Sequence, residues 1–151
     1  MEVRNMKRSA FMMGGQQIDS LTAGQAMENR VKFCHATNPW RNIASALVDR
    51  GYGSLPVVDD DMNLIGMVSE DELLTVLLKK QDEKKLEAKD FMTKNPITVD
   101  EDLPILDVIK ILEENKLIRI PVVKGARLVG IITRRDVLFC YLMATAQPMG
   151  I

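Results

Sequence analysis

Two short stretches set a hydroxyl three residues ahead of an acid, Ser69 with Glu72 and Thr133 with Asp136. A carboxylate only accepts hydrogen bonds, whereas a hydroxyl both donates and accepts, so such a pair can take up donors from a ligand. At a helix start it also stands beside free backbone N–H groups suited to an anion. The same spacing is equally a capping box, in which the hydroxyl takes one unpaired N–H and the acid reaches back to another. Ser69-Glu70-Asp71-Glu72 fits the box well, because Glu is its usual acid. Other chemistry is poorly supplied. Cys34 and His35 are adjacent, and neighbours on a strand point to opposite faces, so they do not make a nucleophile and its base. Two cysteines, Cys34 and Cys140, with one histidine leave no zinc ligand set. Neither a glycine-rich phosphate loop nor a GxSxG turn is present. No catalytic residues, no metal and no cofactor are expected.

Those junctions need elements to hold them. In the downstream half, Pro96-Ile97-Thr98-Val99 predicts a strand ending at the acidic run Asp100-Glu101-Asp102, whose charge suits the start of a helix. That helix carries Leu103, Ile105, Leu106, Val108, Ile109, Ile111 and Leu112, too broad a set for one stripe, which predicts burial on more than one side. A strand over Ile118 to Val123, a tight turn at Lys124-Gly125-Ala126 and a strand over Arg127 to Thr133 follow, and a helix starts near Arg134. The upstream half repeats this order. Asn42 to Arg50 reads as a helix, Leu55 to Val58 and Leu64 to Ser69 as strands around a turn at Asp59 to Asn63, and Val31 to His35 as a poorer opening strand.

The repetition is explicit. A shift of 65 lays Ala23, Met27, Pro39, Leu47, Pro56, Val57 and Val58 on Ala88, Met92, Pro104, Leu112, Pro121, Val122 and Val123. One residue is then lost in the turn, and a shift of 64 lays Leu64, Gly66, Leu74 and Leu78 on Leu128, Gly130, Leu138 and Leu142. Repeats of about 55 residues bury little surface alone, so the two are expected to pack together. The charged stretch Lys79 to Asp90 reads as a helix end and a solvated connector. Trp40 and Phe33 read as packing residues, and the ten methionines as adaptable filler.

Composition agrees with one globular body. The chain has 151 residues, 46% hydrophobic and 27% charged, and a net charge of -1. No global field draws it to nucleic acid, and no long uncharged run predicts a membrane span. The opening residues lack the apolar stretch of an export signal, so a cytoplasmic location is expected.

Three pieces now carry a resemblance: Phe91-Met92-Thr93-Lys94-Asn95-Pro96-Ile97-Thr98-Val99, Ile118-Arg119-Ile120-Pro121-Val122-Val123, and Leu128-Val129-Gly130-Ile131-Ile132-Thr133-Arg134-Arg135-Asp136-Val137-Leu138. With Gly51-Tyr52-Gly53-Ser54-Leu55-Pro56-Val57-Val58 and Leu64 to Leu74 upstream, they resemble the cystathionine β-synthase (CBS) domain, paired in tandem as a Bateman module over about residues 21 to 142. The fold class implied is α/β (α+β): two pseudo-symmetric β-α-β-β-α repeats packed into one module. The expected parts are an N-terminal extension at 1–20, a first repeat at 21–80 and a second at 86–145.

The resemblance implies a non-catalytic regulatory module that binds AMP, ADP, ATP or S-adenosylmethionine in composite clefts, with the acid and hydroxyl on the ribose diol. By the family pattern Thr133 and Asp136 face Arg30, Val31, Lys32 and Ser54, while Ser69 and Glu72 face Asn95, Pro96, Ile97, Ile118 and Arg119. Arg119 stands where related modules place a base on phosphate, and Arg134 adds charge at the helix start. Glu72 departs from the family's shorter acid. Gly51 matches the family's glycine before the second strand, whereas Lys116 takes its place in the second repeat and leaves that turn open. A homodimer paired through helices and an unidentified regulated protein are the partners implied. The alternative is a dimerising scaffold that binds no small molecule.

Overall fold

The computed structural model describes residues 17–146. Most of the expected N-terminal extension lies outside the described residues, and Ile18–Ser20 forms a single 3-10 turn. Helix α1 (Ala23–Ala26) and strand β1 (Cys34–His35) follow, then α2 (Trp40–Arg50), β2 (Ser54–Val58), β3 (Leu64–Ser69) and α3 (Glu70–Leu78). After a 3-10 turn at Glu83–Lys85 come α4 (Ala88–Phe91), β4 (Thr93–Lys94), β5 (Val99–Asp100), α5 (Ile105–Glu114), β6 (Arg119–Lys124), β7 (Arg127–Thr133) and α6 (Arg134–Ala144). The class is the mixed α/β one that the alternation of strand and helix patterns predicts. Among the described residues no helix is long and apolar enough to cross a membrane.

The chain divides into two compact units. The upstream unit is Lys32–Pro96 with Ala126–Leu128; the downstream unit holds residues 17–31, Ile97–Gly125 and 129–146. These bodies do not follow the repeats read along the chain, because the leading segment of each repeat lies in the unit built on the other.

In the upstream unit, four strands run in the order β1-β2-β3-β4, with β1 parallel to β2 and the remaining pairs antiparallel. Strand β2 is buried from Leu55 to Val58, and a bulge at Val57/Val58 bends it into the turn. There the Asp59 carboxylate accepts the N–H groups of Asp61 and Asn63, both at 2.9 Å. Ile43, Leu47, Leu55, Val57, Val68, Leu73 and Ala88 form the core. Trp40 packs on it and donates its indole N–H to the Leu73 carbonyl at 3.3 Å, the packing role its sequence context predicts.

The downstream unit has a three-stranded sheet in the order β5-β6-β7, with β5 parallel to β6. Its core joins Leu21, Ala23 and Ala26 to Val99, Ile105, Val108, Leu112, Ile120, Val122, Ile132, Val137 and Cys140. On α5, Ile105, Val108 and Leu112 are buried and Ile109 and Ile111 pack partly, whereas Leu106 of the broad apolar set is exposed.

The exchange of leading segments follows one pattern in both units. Ala23 N–H donates to the Leu103 carbonyl at 2.9 Å, and its repeat equivalent Ala88 donates to Asn38, the equivalent of Leu103, at 2.9 Å. Capping boxes at Thr22–Gln25 and Glu87–Asp90 hold these four-residue helices, too short to be stable alone. After each helix a methionine covers a glycine of the neighbouring strand. A Cβ on Gly66 would lie 2.6 Å from the Met92 sulfur and 2.9 Å from the Thr93 carbonyl oxygen, and Gly130 meets Met27 in the same way. The recurrence of Gly at both positions is therefore a demand for space.

Several expectations need correction. The connector Lys79 to Asp90 is not uniformly solvated chain, since it contains the turn at Glu83–Lys85 and the start of α4 with buried Ala88. The opening strands shrink to two residues each: Val31 to His35 becomes Cys34–His35, and Pro96 to Val99 becomes Val99–Asp100. Lys116 keeps the backbone of its glycine equivalent, with φ +51° against +66° at Gly51, so the turn survives the loss of glycine.

Candidate ligand-binding site

In each unit a strand ends in a hydroxyl residue that caps the next helix. Ser69 ends β3 and caps α3; Thr133 ends β7 and caps α6. Extended backbone at the cap, φ −115° and −113°, turns the chain into the helix and leaves the first N–H groups without helical partners. Both junctions are capping boxes, so the fold uses each candidate pair structurally.

The two boxes differ in detail. Thr133 accepts the Asp136 N–H at 3.0 Å, and Asp136 Oδ2 accepts the Thr133 N–H at 2.9 Å. The shorter acid is drawn in and is the one buried charged residue of the described chain, 6% exposed. Glu72 reaches further. Its Oε2 accepts both the N–H and the hydroxyl of Ser69, and its Oε1 accepts the Thr93 hydroxyl from β4 at 2.5 Å. Burial pushes this carboxyl up, but the hydrogen bonds from Ser69 and Thr93 outweigh it and leave the Glu72 pKa below its ordinary value. Glu72 thus takes three donors from its own unit.

The start of the second strand lies beside each junction. Arg134 N–H donates to the Ile118 carbonyl at 3.0 Å, as Glu70 N–H does to Gly53 at 3.2 Å. Thr133, Arg134 and Asp136 therefore gather with Ile118 and the half-buried Arg119 in the downstream unit, where Ile118 is exposed. Arg134 is not a spare cation. Its Nε donates to the Leu117 carbonyl at 2.7 Å and its guanidinium pairs with Glu113 at 3.6 Å. In the upstream unit Ser54 stands directly opposite Ser69 in the β2–β3 ladder.

The remaining candidates lie on connecting segments. Arg30 is exposed and gives its N–H to Glu28 Oε1 at 2.8 Å, next to half-buried Val31. Ile97 is exposed in the downstream unit. Lys32, Asn95 and Pro96 belong to the upstream unit, Asn95 with φ +51°, a conformation asparagine tolerates.

Residue types in the sequence did not single out Thr93 or its counterpart Glu28. Thr93 faces Met67 across the ladder, and Glu28 bridges Ile131, which is the equivalent of Met67. The shift of 65 that aligns Met27 with Met92 was the signal that pairs them.

Cys34 and His35 form no catalytic pair. Burial pushes the Cys34 thiol up to about 11, and the His35 ring meets Phe33 edge-on at 5.6 Å. Among the described residues no group of three or more His, Cys, Asp and Glu side chains is placed to hold a metal ion.

Comparison with known proteins fits this arrangement. The uncharacterized protein YlbB of Bacillus subtilis is 32% identical over 109 residues, which cover 70% of this chain and 72% of that protein. An uncharacterized 33.4 kDa protein of Thermofilum pendens is 29% identical over 106 residues, but only 35% of its length is covered. The crystal structure of CBSX2 in complex with AMP superposes with a TM-score of 0.74 at 30% identity, covering 82% of this chain and 97% of that one. CBS domains match at residues 23–79 and 88–142, each containing one hydroxyl–acid junction, and the chain belongs to the CBS-domain family as a tandem pair.

Proposed function

We propose that this chain is a non-catalytic regulatory module that binds an adenosine-containing ligand, with AMP the first candidate, and signals its presence to a partner protein from the cytoplasm as a homodimer. The carrying observation is the Thr133–Asp136 junction. A hydroxyl and a buried carboxylate stand at a helix start whose Arg134 N–H is held by Ile118, the residue before Arg119, in a chain similar over most of its length to an AMP-bound CBS pair. The Asp136 carboxylate accepts the ribose diol, the positive α6 start and the Arg119 guanidinium take the phosphate, and Ile97, Ile118 and Val31 offer apolar surface to adenine. Arg30 adds to this set within the downstream unit, while Lys32, Ser54, Asn95 and Pro96 belong to the upstream unit. Glu72 already accepts from Ser69 and Thr93, which makes the Asp136 junction the favoured ribose site, with one ligand expected per chain.

Isothermal titration with AMP, ADP, ATP and S-adenosylmethionine, repeated on Asp136→Ala, tests this reading. AMP is expected to bind one per chain, and the variant to lose about 10- to 100-fold in affinity, the worth of hydrogen bonds to a charged acceptor. Absence of binding by all four ligands, or unchanged binding by Asp136→Ala, sinks it. The self-contained capping boxes favour a second reading, a dimerising scaffold with no small ligand. A native mass spectrum of an empty dimer supports that reading instead.

A further inference from the structure

One register position after the leading helix of each repeat carries opposite chemistry in the two units. Upstream it is Thr93, opposite Met67 in the β3–β4 ladder, and its hydroxyl donates to Glu72 Oε1 at 2.5 Å. Downstream it is Glu28, whose N–H donates to the Ile131 carbonyl at 2.8 Å and whose carbonyl accepts the Ile131 N–H at 2.9 Å. Ile131 is the repeat equivalent of Met67, so Thr93 and Glu28 hold the same place. A hydroxyl donates there in one unit, and a carboxylate, which only accepts, stands there in the other. The acids beside them are affected differently. A carboxylate has about four acceptor positions. On Glu72 the Ser69 N–H, the Ser69 hydroxyl and the Thr93 hydroxyl fill three of them. A ribose diol brings a pair of hydrogens, which finds one open position while Thr93 is in place and a matching pair once it is gone.

We infer that Thr93 is the residue that closes the upstream junction to ligand, its hydroxyl standing on Glu72 where a ribose hydroxyl would donate. Glu28 places no such donor in the downstream unit, and the Asp136 junction is left to the ligand. The inference rests on the ribose reading above and adds the residue that decides between the two junctions. Thr93 is exposed on a two-residue strand, so its hydroxyl can be removed without opening a core. Charge dictates how the opened junction is probed. Ser54, Glu70 and Asp71 stand upstream where Arg119, Arg134 and Arg135 stand downstream, a reversal that opposes a phosphate. Adenosine, which carries none, is the suitable probe.

Equilibrium dialysis of the full chain tests this, with AMP added first to fill the Asp136 junction and adenosine second. The total of bound AMP and adenosine is expected to be one per chain in the wild type and in Thr93→Ser, which keeps the hydroxyl. In Thr93→Val, which deletes it at nearly constant volume, the total rises to two. Adding Glu72→Ala to Thr93→Val returns the total to one. Far-UV circular dichroism verifies that each variant folds, and Thr93→Ala makes the same deletion with a smaller side chain if the valine is not accommodated. A wild type that binds no AMP overturns this inference together with the ribose reading. With AMP bound at one per chain, a total that is the same in the wild type and in both Thr93 deletions overturns the inference and leaves that reading standing. A second ligand that survives Glu72→Ala does the same.

Discussion

The Thr93 hydroxyl donates to Glu72 Oε1 at 2.5 Å across 21 residues of sequence, tying the short strand β4 to the first turn of α3. This contact occupies the carboxylate oxygen that the Ser69 box leaves open, and it adds to the Ser69 bonds in giving the upstream junction its pH dependence.

The hydrogen bonds hold the Glu72 pKa below its ordinary value of 4.5 despite burial. A group lowered in the folded state adds stability above its unfolded pKa, and that stability disappears as pH falls through the folded value. Thr93→Val removes one donor to the charged form. The Glu72 titration midpoint should rise toward its unfolded value, and the stability lost on acidification should be smaller than in the wild type, because the gap between the folded and unfolded pKa narrows. Carbon-detected NMR titration of the side-chain carboxyl checks the first, and thermal melts taken from neutral pH down through the ordinary glutamate range, about 4.3, check the second.

Gly66→Ala forces a methyl group toward the Met92 sulfur and the Thr93 carbonyl. The expected cost is about 1–3 kcal/mol, the usual range for overpacking. Met92→Ala on that background relieves only the side-chain clash, because the carbonyl at 2.9 Å is backbone. Urea denaturation of the single and double variants measures both terms.

Lys116 holds a left-handed conformation, at φ +51°, that costs a side-chain-bearing residue about 1–2 kcal/mol. Lys116→Gly removes that strain but adds freedom to the unfolded chain, so a net gain of up to about 1 kcal/mol is expected. A fall in the urea midpoint would contradict the turn geometry.

Thr133→Ala deletes the hydroxyl that caps α6, at a cost of about 0.5–2 kcal/mol, while Thr133→Ser keeps it. Thermal melts read the capping loss. AMP titration of the same two proteins separates the roles. Thr133→Ser retains affinity under the proposed function, and Thr133→Ala loses about tenfold or more if the hydroxyl also meets the ligand.

The hairpin strands were legible because alternation and a turn bound them on both sides: β3 and β7 run over the spans their sequence predicts, and α6 begins at Arg134. The leading helices were not. Four residues cannot display a 3.6-residue period, and Ala23 and Ala88 are held by loops about 80 and 50 residues away in the chain. The site divided similarly. Ser69, Glu72, Thr133 and Asp136 announced themselves by local spacing, because a capping box is a local device. The contact of Thr93 with Glu72 depends on a two-residue strand docking from a distance, which no local pattern encodes.

The exchanged leading segments also impose an order on synthesis. Glu28 leaves the ribosome long before its bridge partner Ile131, 103 residues later, so at usual translation rates of about 5–20 residues per second it waits roughly 5–20 s. Through that interval Leu21, Ala23 and Ala26 lack the core they will enter. The upstream unit, by contrast, has nearly all of its strands and helices once Pro96 has emerged, and so is placed to fold first while the segment at 21–31 remains to be captured last.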